Sequence, residues 1–456
     1  MDHPSLTFRA FAAAWLLLAA GAASGAAPPE PGDDDTIAAL QAAYVRAVVP
    51  GEQADMHREL LAATLKRVKR SHATAVDLAA LAATAGKVLD AAPPASGEPA
   101  ELFKKAMNEA LRTLDPYSRY IDAKSRENER AGASGSFGGL GLEIQAAEGA
   151  VRVVAPTPGG PAARAGLAPG DLIVRVDNQP LAGLPLADAI AKMRGQPGTA
   201  VSVTIQRAGA DEFTVSLTRD TIRRQLLRWS MEGEVLVLRL SSFSGAANAS
   251  IAQAVAQATA QQQPRAVVLD LRGNPGGLLE EAIAVSDAFL AKGDIVSLRG
   301  GARQRTWQAD EAELLPGAPM VVLIDGRSAS ASELVADALQ SNGRATVMGQ
   351  RSFGKGSVQT TFSLGDNRGA VKLTTSLYHG PSGQTVQKTG VNPDIELLGL
   401  PRSEATRDAV PLHATRASVD TARCPVLAAD DAALSCVLAY LQAGGTGAFV
   451  AALAPD

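Results

Sequence analysis

The chain has 456 residues, which is long for one hydrophobic core and favours two or three domains. Apolar residues make up 46% and charged residues 20%, a balance typical of globular rather than disordered proteins. The formal net charge is −4, and the one short basic cluster, Lys66–Arg70, lies in a helical pattern. Neither DNA nor RNA is therefore an expected partner.

The first 27 residues have the pattern of an export signal. Arg9 precedes an apolar run from Phe11 to Ala20, and small residues follow as far as Ala27. The run is too short for a spanning helix, so we expect a cleaved signal peptide and an exported, periplasmic protein. An uncleaved anchor, and with it membrane association, stays open. The two cysteines, Cys424 and Cys436, can close one short loop in an oxidising compartment, and the sequence does not decide whether they do.

Residues 28–131 predict a helical arm. They are rich in Ala, Leu, Glu and Lys with helical periodicity, and Pro93-Pro94 divides them into two helical parts. The second part is expected to end at Asp115, because the residue before a proline disfavours the helical conformation. The arm is a candidate for homo-oligomerisation or for binding an adaptor or activator protein, and both interpretations stay open.

Residues 132–212 predict a small β-rich domain, and residues 213–400 an α/β core. The first begins with a glycine-dense segment, GASGSFGGLG, followed by short strands and one helix near 185–193. The second alternates apolar strands with helices, which is typical of crossover connections. Its predicted helices are 251–260, 278–290 and 330–340. Residues 401–456 predict a linker and one amphipathic helix near 434–441, so the expected fold is a multidomain α+β protein.

One segment of the core has the features of a nucleophile site. An apolar strand, 321–324, runs through a serine-rich turn into a helix that starts near Ser330. A serine at a strand-to-helix turn is exposed, and the unpaired N–H groups of the first helical turn can bind an oxyanion. Lys355 lies between two glycines, and a buried lysine has a lowered pKa that lets it act as a general base. The turn from Asp270 to Gly277 can supply one more N–H donor.

Five ordered blocks between Leu111 and Leu398 resemble those of the carboxyl-terminal processing proteases, also called tail-specific proteases. The blocks are GSFGGLGLEI, LRGNPGG, SASASE, GQRSFGKGSVQ and YHGPSGQTVQKTGVNPDI. The resemblance implies a ClpP/crotonase-like protease core, no metal or organic cofactor, and a serine-type endopeptidase activity. It also implies a set of site residues: Ser330 as nucleophile, Lys355 as base, Gln359 to orient the lysine, the N–H groups of Gly276 and Ala331 as oxyanion hole, and Glu333 in support. Some members place an aspartate eleven residues after the nucleophile; Ser341 stands there, so we assign no acidic third member.

The glycine-rich segment resembles the carboxylate-binding loop of PDZ domains. Successive N–H groups in such a loop turn towards one anion, and a peptide then adds to the sheet edge as a strand. The expected contacts to the C-terminus of a substrate come from Gly139, Leu140, Gly141 and Leu142. The resemblance therefore implies a protease that binds protein or peptide substrates with apolar C-termini and cuts near that end.

The sequence admits three other interpretations. Ser352-Phe-Gly-Lys355 and Lys388-Thr-Gly390 resemble penicillin-binding-protein elements, but they are too close together for the helical domain that normally separates them. GNPGG resembles a chymotrypsin-like motif, but Pro275 stands at the place of its nucleophile. A PDZ adaptor with an inactive protease core, binding C-termini without cutting, is the main alternative.

Overall fold

The computed structural model describes residues 32–93, 98–126, 129, 136–223, 226–300, 303–310, 313–366, 368–400 and 414–453. The proposed signal peptide lies outside these residues. Among the described residues no single helix is long and apolar enough to cross a membrane. The consecutive helices Ala432–Ala443 and Thr446–Ala452 reach that length and apolarity only when they are taken together, and a bend of 116° separates them.

The eleven helices that we number are listed in chain order. They are α1 Asp33–Ala47, α2 Glu52–Ser71, α3 Leu78–Asp90, α4 Pro99–Arg112, α5 Pro161–Arg164, α6 Leu186–Met193, α7 Ala247–Gln261, α8 Leu279–Asp287, α9 Ala331–Ser341, α10 Ala432–Ala443 and α11 Thr446–Ala452. Of the two helical parts predicted for the arm, the part before Pro93-Pro94 contains α1, α2 and α3, and the part after it contains α4.

The strands are numbered in the same way. They are β1 Arg119–Ile121, β2 Ser136–Gly139, β3 Leu142–Ala147, β4 Ala150–Pro156, β5 Leu172–Val176, β6 Gln179–Pro180, β7 Ala200–Gln206, β8 Phe213–Thr218, β9 Asp220–Arg223, β10 Leu227–Glu232, β11 Val235–Leu240, β12 Ala266–Asp270, β13 Asp294–Gly300, β14 Arg303–Gln308, β15 Met320–Ile324, β16 Thr346–Gly349, β17 Ser357–Ser363, β18 Ala370–His379, β19 Ile395–Leu398 and β20 Ala417–Asp420.

The core is a seven-stranded sheet in the order β10-β11-β12-β15-β16-β19-β20, parallel except for the β10–β11 pair. Its strands are apolar on both faces because helices cover both. Val322 and Ile324 pack with α7, α8 and α9, whereas Val321 and Leu323 pack with α10 and α11. The parallel strands end at one edge of the sheet, where the β15–α9 turn lies.

The helical arm packs on a second sheet, β1-β18-β13-β14, in which β17 also pairs with β18. Val371 and Leu373 of β18 belong to the same buried cluster as the side chains of α1 to α4. The arm is therefore part of the protease body, and β1, at its C-terminal end, is a strand of this second sheet.

The PDZ-like unit is a six-stranded sheet, β3-β4-β5-β7-β8 with β6 on β5, closed by α6 and the short α5. The ribbon β2–β9 connects it to the rest of the chain, so the unit is inserted between β1 and β10 rather than simply preceding the core. Strand β8 pairs with β7 along its whole length, so this unit extends past residue 212, where the composition had suggested a boundary. Cys424 and Cys436 are joined by a disulfide, which links the β20 side of the tail to α10.

Candidate active site

The β15–α9 turn together with the first two residues of α9, residues 325–332, is here named the serine turn. Its two flanking serines are buried and hydrogen-bonded to the turn that follows β12: Ser328 Oγ donates to the Leu271 carbonyl (2.8 Å) and Ser332 Oγ to the Asn274 carbonyl (2.9 Å). Asp325 accepts from the N–H groups of Gly273 and Ser328. The backbone around Ser330 is therefore fixed from both sides.

Ser330 has a conformation that a residue with a side chain rarely adopts. Its φ and ψ are 58° and −113°, just before the first residue of α9. Strain of this kind persists only where the surroundings hold the backbone in place, and it is common at functional turns. Gly276 lies against the same spot with φ +98°, and a Cβ on it would stand 2.9 Å from Ser330 Cβ and 2.6 Å from the Ala329 carbonyl. Only glycine fits there.

Glu333 joins Ser330 to the segment 350–356, here named the lysine loop. Its Oε2 accepts from the N–H groups of Ser330 (2.7 Å) and Lys355 (2.8 Å), and its Oε1 from Ser352 Oγ and Gly354 N–H, both at 2.6 Å. The side chain is fully buried. Burial raises the pKa of Glu333, and the four hydrogen bonds oppose that rise.

Tyr378 makes a second link between the two segments. Its hydroxyl lies 3.0 Å from the Ser330 carbonyl and 2.9 Å from the Lys355 carbonyl, and the single proton is shared between these two acceptors. Burial, followed by the charge of Glu333, raises the pKa of Tyr378 well above its usual value, so it stays a donor. A carboxylate thus accepts from both N–H groups and a phenol donates to both carbonyls.

Lys355 and Ser330 line one cavity of about 1010 Å³ that lies between the two sheets. Lys355 is half-buried, and burial together with the charges of Lys372 and Arg119 lowers its pKa, although Glu333 and Asp115 oppose this. Its Nζ lies over the ring of Tyr117, 4.6 Å from the centroid. No hydrogen bond joins Lys355 Nζ to Ser330 Oγ in the part of the chain that the structure describes.

Two expected details differ in the structure. Gln359 lines the cavity, but its Nε2 donates to Ser357 Oγ (2.9 Å) rather than contacting Lys355. A bulge between Val358 and Gln359 interrupts the alternation of side chains along β17. The Gly276 N–H donates to Asn274 Oδ1 (2.9 Å), so in this conformation it is not available to an oxyanion. Ala331 is the first residue of α9, where the helix leaves N–H groups unpaired.

Ser352, the nucleophile of the penicillin-binding-protein interpretation, is not exposed to substrate. It is fully buried, donates to Glu333 Oε1 and accepts from the Val391 N–H (2.7 Å). The structure therefore gives this serine a packing role. Sequence reasoning missed the contacts of Tyr378 and Tyr117, because both arise from segments that are distant in the chain.

A second cavity, of about 500 Å³, is the groove of the PDZ-like unit. All four residues expected to bind a C-terminus line it: Gly139, Leu140, Gly141 and Leu142. Four of its lining residues are large and apolar: Ile144, Ile190, Met193 and Ile222. Two arginines, Arg194 of this unit and Arg228 of β10, and one glutamate, Glu143 of β3, also line it. The groove thus combines apolar lining with two cationic side chains and one anionic side chain, and Arg228 comes from the protease core.

Comparison with known proteins agrees with this architecture. Residues 234–397 match the model of peptidase family S41, and residues 152–207 match a PDZ domain. The chain is 42% identical over 301 residues to a carboxy-terminal-processing protease of Bartonella bacilliformis, which covers 65% of this chain and 69% of that protein. It is 32% identical to the carboxy-terminal processing protease CtpA of Bacillus subtilis, over 65% of this chain and 64% of the relative.

Among solved structures, a photosystem II D1 C-terminal processing protease aligns over 80% of this chain and 99% of its own length, with 28% identity and a TM-score of 0.48. The first relative alone, by its identity and its coverage, decides the family. The chain belongs to the carboxy-terminal-processing proteases of peptidase family S41, with a PDZ domain, and is a serine-type peptidase.

Proposed function

We propose that this peptidase binds the C-terminus of a protein substrate in its PDZ groove and cleaves the chain near that end with Ser330 and Lys355. The observation that carries the proposal is the pairing of the two residues across one cavity. A serine in a strained backbone conformation at a helix N-terminus lies beside the cavity that a half-buried lysine with a lowered pKa also lines. Few structural roles require both features together.

In the proposed reaction, neutral Lys355 takes the proton of Ser330 Oγ as that oxygen attacks the scissile carbonyl carbon. The tetrahedral intermediate collapses when the C–N bond breaks, and the lysine ammonium gives its proton to the leaving amine. Water then attacks the acyl ester, with Lys355 again as base, and releases the acid and Ser330. The side chain of Lys355 must turn from the Tyr117 ring to reach Ser330 Oγ.

The Ala331 N–H, at the positive end of the α9 dipole, is the first donor for the oxyanion in this proposal. The Gly276 N–H becomes the second donor when it exchanges Asn274 Oδ1 for the substrate oxygen. The Gly276 backbone already lies close to the first donor, because a Cβ on Gly276 would stand 2.9 Å from the Ala331 nitrogen. Substrate binding thus completes the oxyanion hole.

The groove supports recognition of a free, apolar C-terminus. The loop from Gly139 to Leu142 offers backbone N–H groups to a carboxylate, and the two arginines that line the groove add positive charge. Ile190 and Met193 of α6 give an apolar wall for the last side chain of the substrate.

We also propose that the protein is exported through its N-terminal signal.

The test is cleavage of an unfolded protein that ends in an apolar residue, compared for wild type, Ser330→Ala and Lys355→Ala. Loss of activity by about 10³-fold or more is expected for both variants, because each removes a group that makes or breaks bonds. Ser250→Ala on the surface of α7 and Lys105→Ala on α4 are the matched controls and should cut as fast as wild type.

A second substrate, identical but amidated at its C-terminus, tests the groove. It should be cut at least tenfold more slowly, because the PDZ loop loses the anion that it binds. Equal cleavage of both substrates would contradict C-terminal recognition, and full activity of Ser330→Ala would contradict the nucleophile. Binding of the peptide without any cleavage by the wild type would support the adaptor interpretation instead.

A further inference from the structure

The aromatic face under Lys355 comes from the helical arm. Tyr117 lies in the turn between α4 and β1, and its ring centroid is 4.6 Å from Lys355 Nζ. An ammonium over the face of a phenol ring is attracted by the ring quadrupole. The contact joins two residues that are 238 positions apart in the sequence.

The turn that carries Tyr117 is hydrogen-bonded on both sides. Asp115 Oδ1 accepts from the N–H groups of Tyr117 (2.8 Å) and Ser118 (2.9 Å), and Asp115 Oδ2 lies 3.1 Å from His72 Nε2. Ser118 Oγ donates to Asp115 and accepts from the Thr374 N–H of β18 (3.1 Å). The turn is thus held between His72, at the C-terminal end of α2, and the sheet that carries the lysine loop.

Lys355 is also influenced by charges from each neighbouring element. Lys372 of β18 and Arg119 of β1 disfavour its ammonium form, whereas Glu333 of α9 and Asp115 of the turn favour it. Burial, the largest influence, disfavours the ammonium form as well. The tyrosine ring both excludes water from the amine and offers it an attractive face, so it acts on the position and on the charge of the same group.

We propose that Tyr117 is a positioning residue for Lys355: its ring face holds the amine inside the cavity, ready to turn to Ser330. The inference rests on the proposed function, because it assumes that Lys355 is the base. It gives the helical arm a role in catalysis, since the arm supplies both the ring and the groups that fix it.

Three substitutions separate the face of the ring from its bulk and from its hydroxyl. Tyr117→Phe keeps the face, Tyr117→Leu keeps the apolar cover without the face, and Tyr117→Ala removes both. We expect Phe to retain kcat within about twofold and Leu to lower kcat about tenfold at saturating substrate, with KM unchanged. Tyr120→Phe, in the adjacent strand, is the control and should leave kcat unchanged.

The pH dependence has opposite signs for two of these variants. Without the attractive face the ammonium is less favoured, so the acidic limb of the kcat profile should move down by up to about one pH unit in Tyr117→Leu. In Tyr117→Ala water reaches the amine and favours the ammonium, so the limb should move up. A merely structural role would not produce shifts of opposite sign.

A readout independent of catalysis distinguishes failure of this inference from failure of the proposed function. The pH dependence of acetylation of Lys355 by acetic anhydride, measured by mass spectrometry in the Ser330→Ala background, reports its pKa directly. The same two opposite shifts are expected there. Unchanged acetylation curves in Tyr117→Leu and Tyr117→Ala, or a Phe variant as impaired as Leu, would overturn the role of the ring, whereas the Lys355→Ala assay tests the base itself.

Discussion

The serine turn and the lysine loop meet at one cavity, but they are fixed in different ways. In the serine turn, the hydroxyls of Ser328 and Ser332 are buried and paired with backbone carbonyls, and the conformation of Ser330 is imposed by its neighbours. In the lysine loop the backbone is tied to Glu333 and Tyr378, while the side chain of Lys355 is only half-buried and rests on a ring. The first segment presents a fixed atom, and the second presents a group whose position and charge can change.

This difference fits the chemistry proposed for each residue. An attacking oxygen gains from being held at the point of attack, because a displacement of about 1 Å costs roughly 10²-fold in rate. A general base must instead accept a proton, hold it and pass it to another atom, so mobility of the amine and a pKa near neutral pH are useful. The variants below act on the link between the segments or on the lysine loop alone.

The largest effect is expected from Glu333→Gln, which breaks the link between the two segments. In either orientation the amide NH₂ faces a backbone N–H that cannot reverse: those of Ser330 and Lys355 at the place of Oε2, or that of Gly354 at the place of Oε1. We expect the free energy of unfolding to fall by about 2–4 kcal/mol and kcat/KM to fall at least 100-fold. Urea unfolding and the cleavage assay measure these.

The matched control is Glu101→Gln, which changes an exposed glutamate of α4 and should alter neither quantity. A stable and fully active Glu333→Gln protein would show that the two backbones are held together by other means.

A smaller effect is expected from Tyr378→Phe, which removes one hydroxyl and leaves the carbonyls of Ser330 and Lys355 without that donor. The free energy of unfolding should fall by about 1–2 kcal/mol, and kcat should fall about tenfold with little change in KM. Urea unfolding and cleavage assays at saturating substrate measure these changes, and Tyr120→Phe, which removes a hydroxyl elsewhere, is the control. An unchanged kcat would mean that this hydroxyl does not help to hold the two segments together.

The smallest effect is expected from Lys372→Met, which alters only the charge around the lysine loop. Lys372 lowers the pKa of Lys355, so its removal should raise that pKa and move the acidic limb of the kcat profile up. The shift should be less than about one pH unit, because the Lys372 side chain is 27% exposed and solvent screens its charge. At pH 7 the rate falls; a shift downwards would contradict the sign of the Coulomb interaction. Lys105→Ala again serves as control.

The features of the fold and site that depend on a short stretch of chain could be predicted from the sequence. The step from the apolar strand β15 to a serine-rich helix start is visible in eleven consecutive residues, and the structure begins α9 one residue after Ser330. The resemblance of the glycine-rich segment near residue 139 to a PDZ loop likewise predicted a loop that binds a peptide end, and this segment lines a groove. The hairpin β13–β14 was not predicted, because the sequence of β14 is mostly polar and lacks a clear alternation.

The contacts that tertiary packing determines were not visible in the sequence. The bulge at Gln359 turns its amide to Ser357, and nothing in the local pattern reveals it. The Gly276 N–H donates to the side chain of Asn274, and the sequence of this glycine turn does not reveal that hydrogen bond. Tyr117 was visible only as part of a helix end, since its partner Lys355 comes from the other side of the inserted PDZ unit.

The most direct test of the Ser330–Lys355 pair is labelling with a fluorophosphonate, which forms a stable bond to an activated serine oxygen, followed by peptide mapping. The account predicts an adduct on Ser330 in the wild type and at least 100-fold slower labelling in Lys355→Met, which keeps the bulk of the side chain but has no amine. An adduct on a different serine, or equal labelling of Ser330 in both proteins, would contradict it.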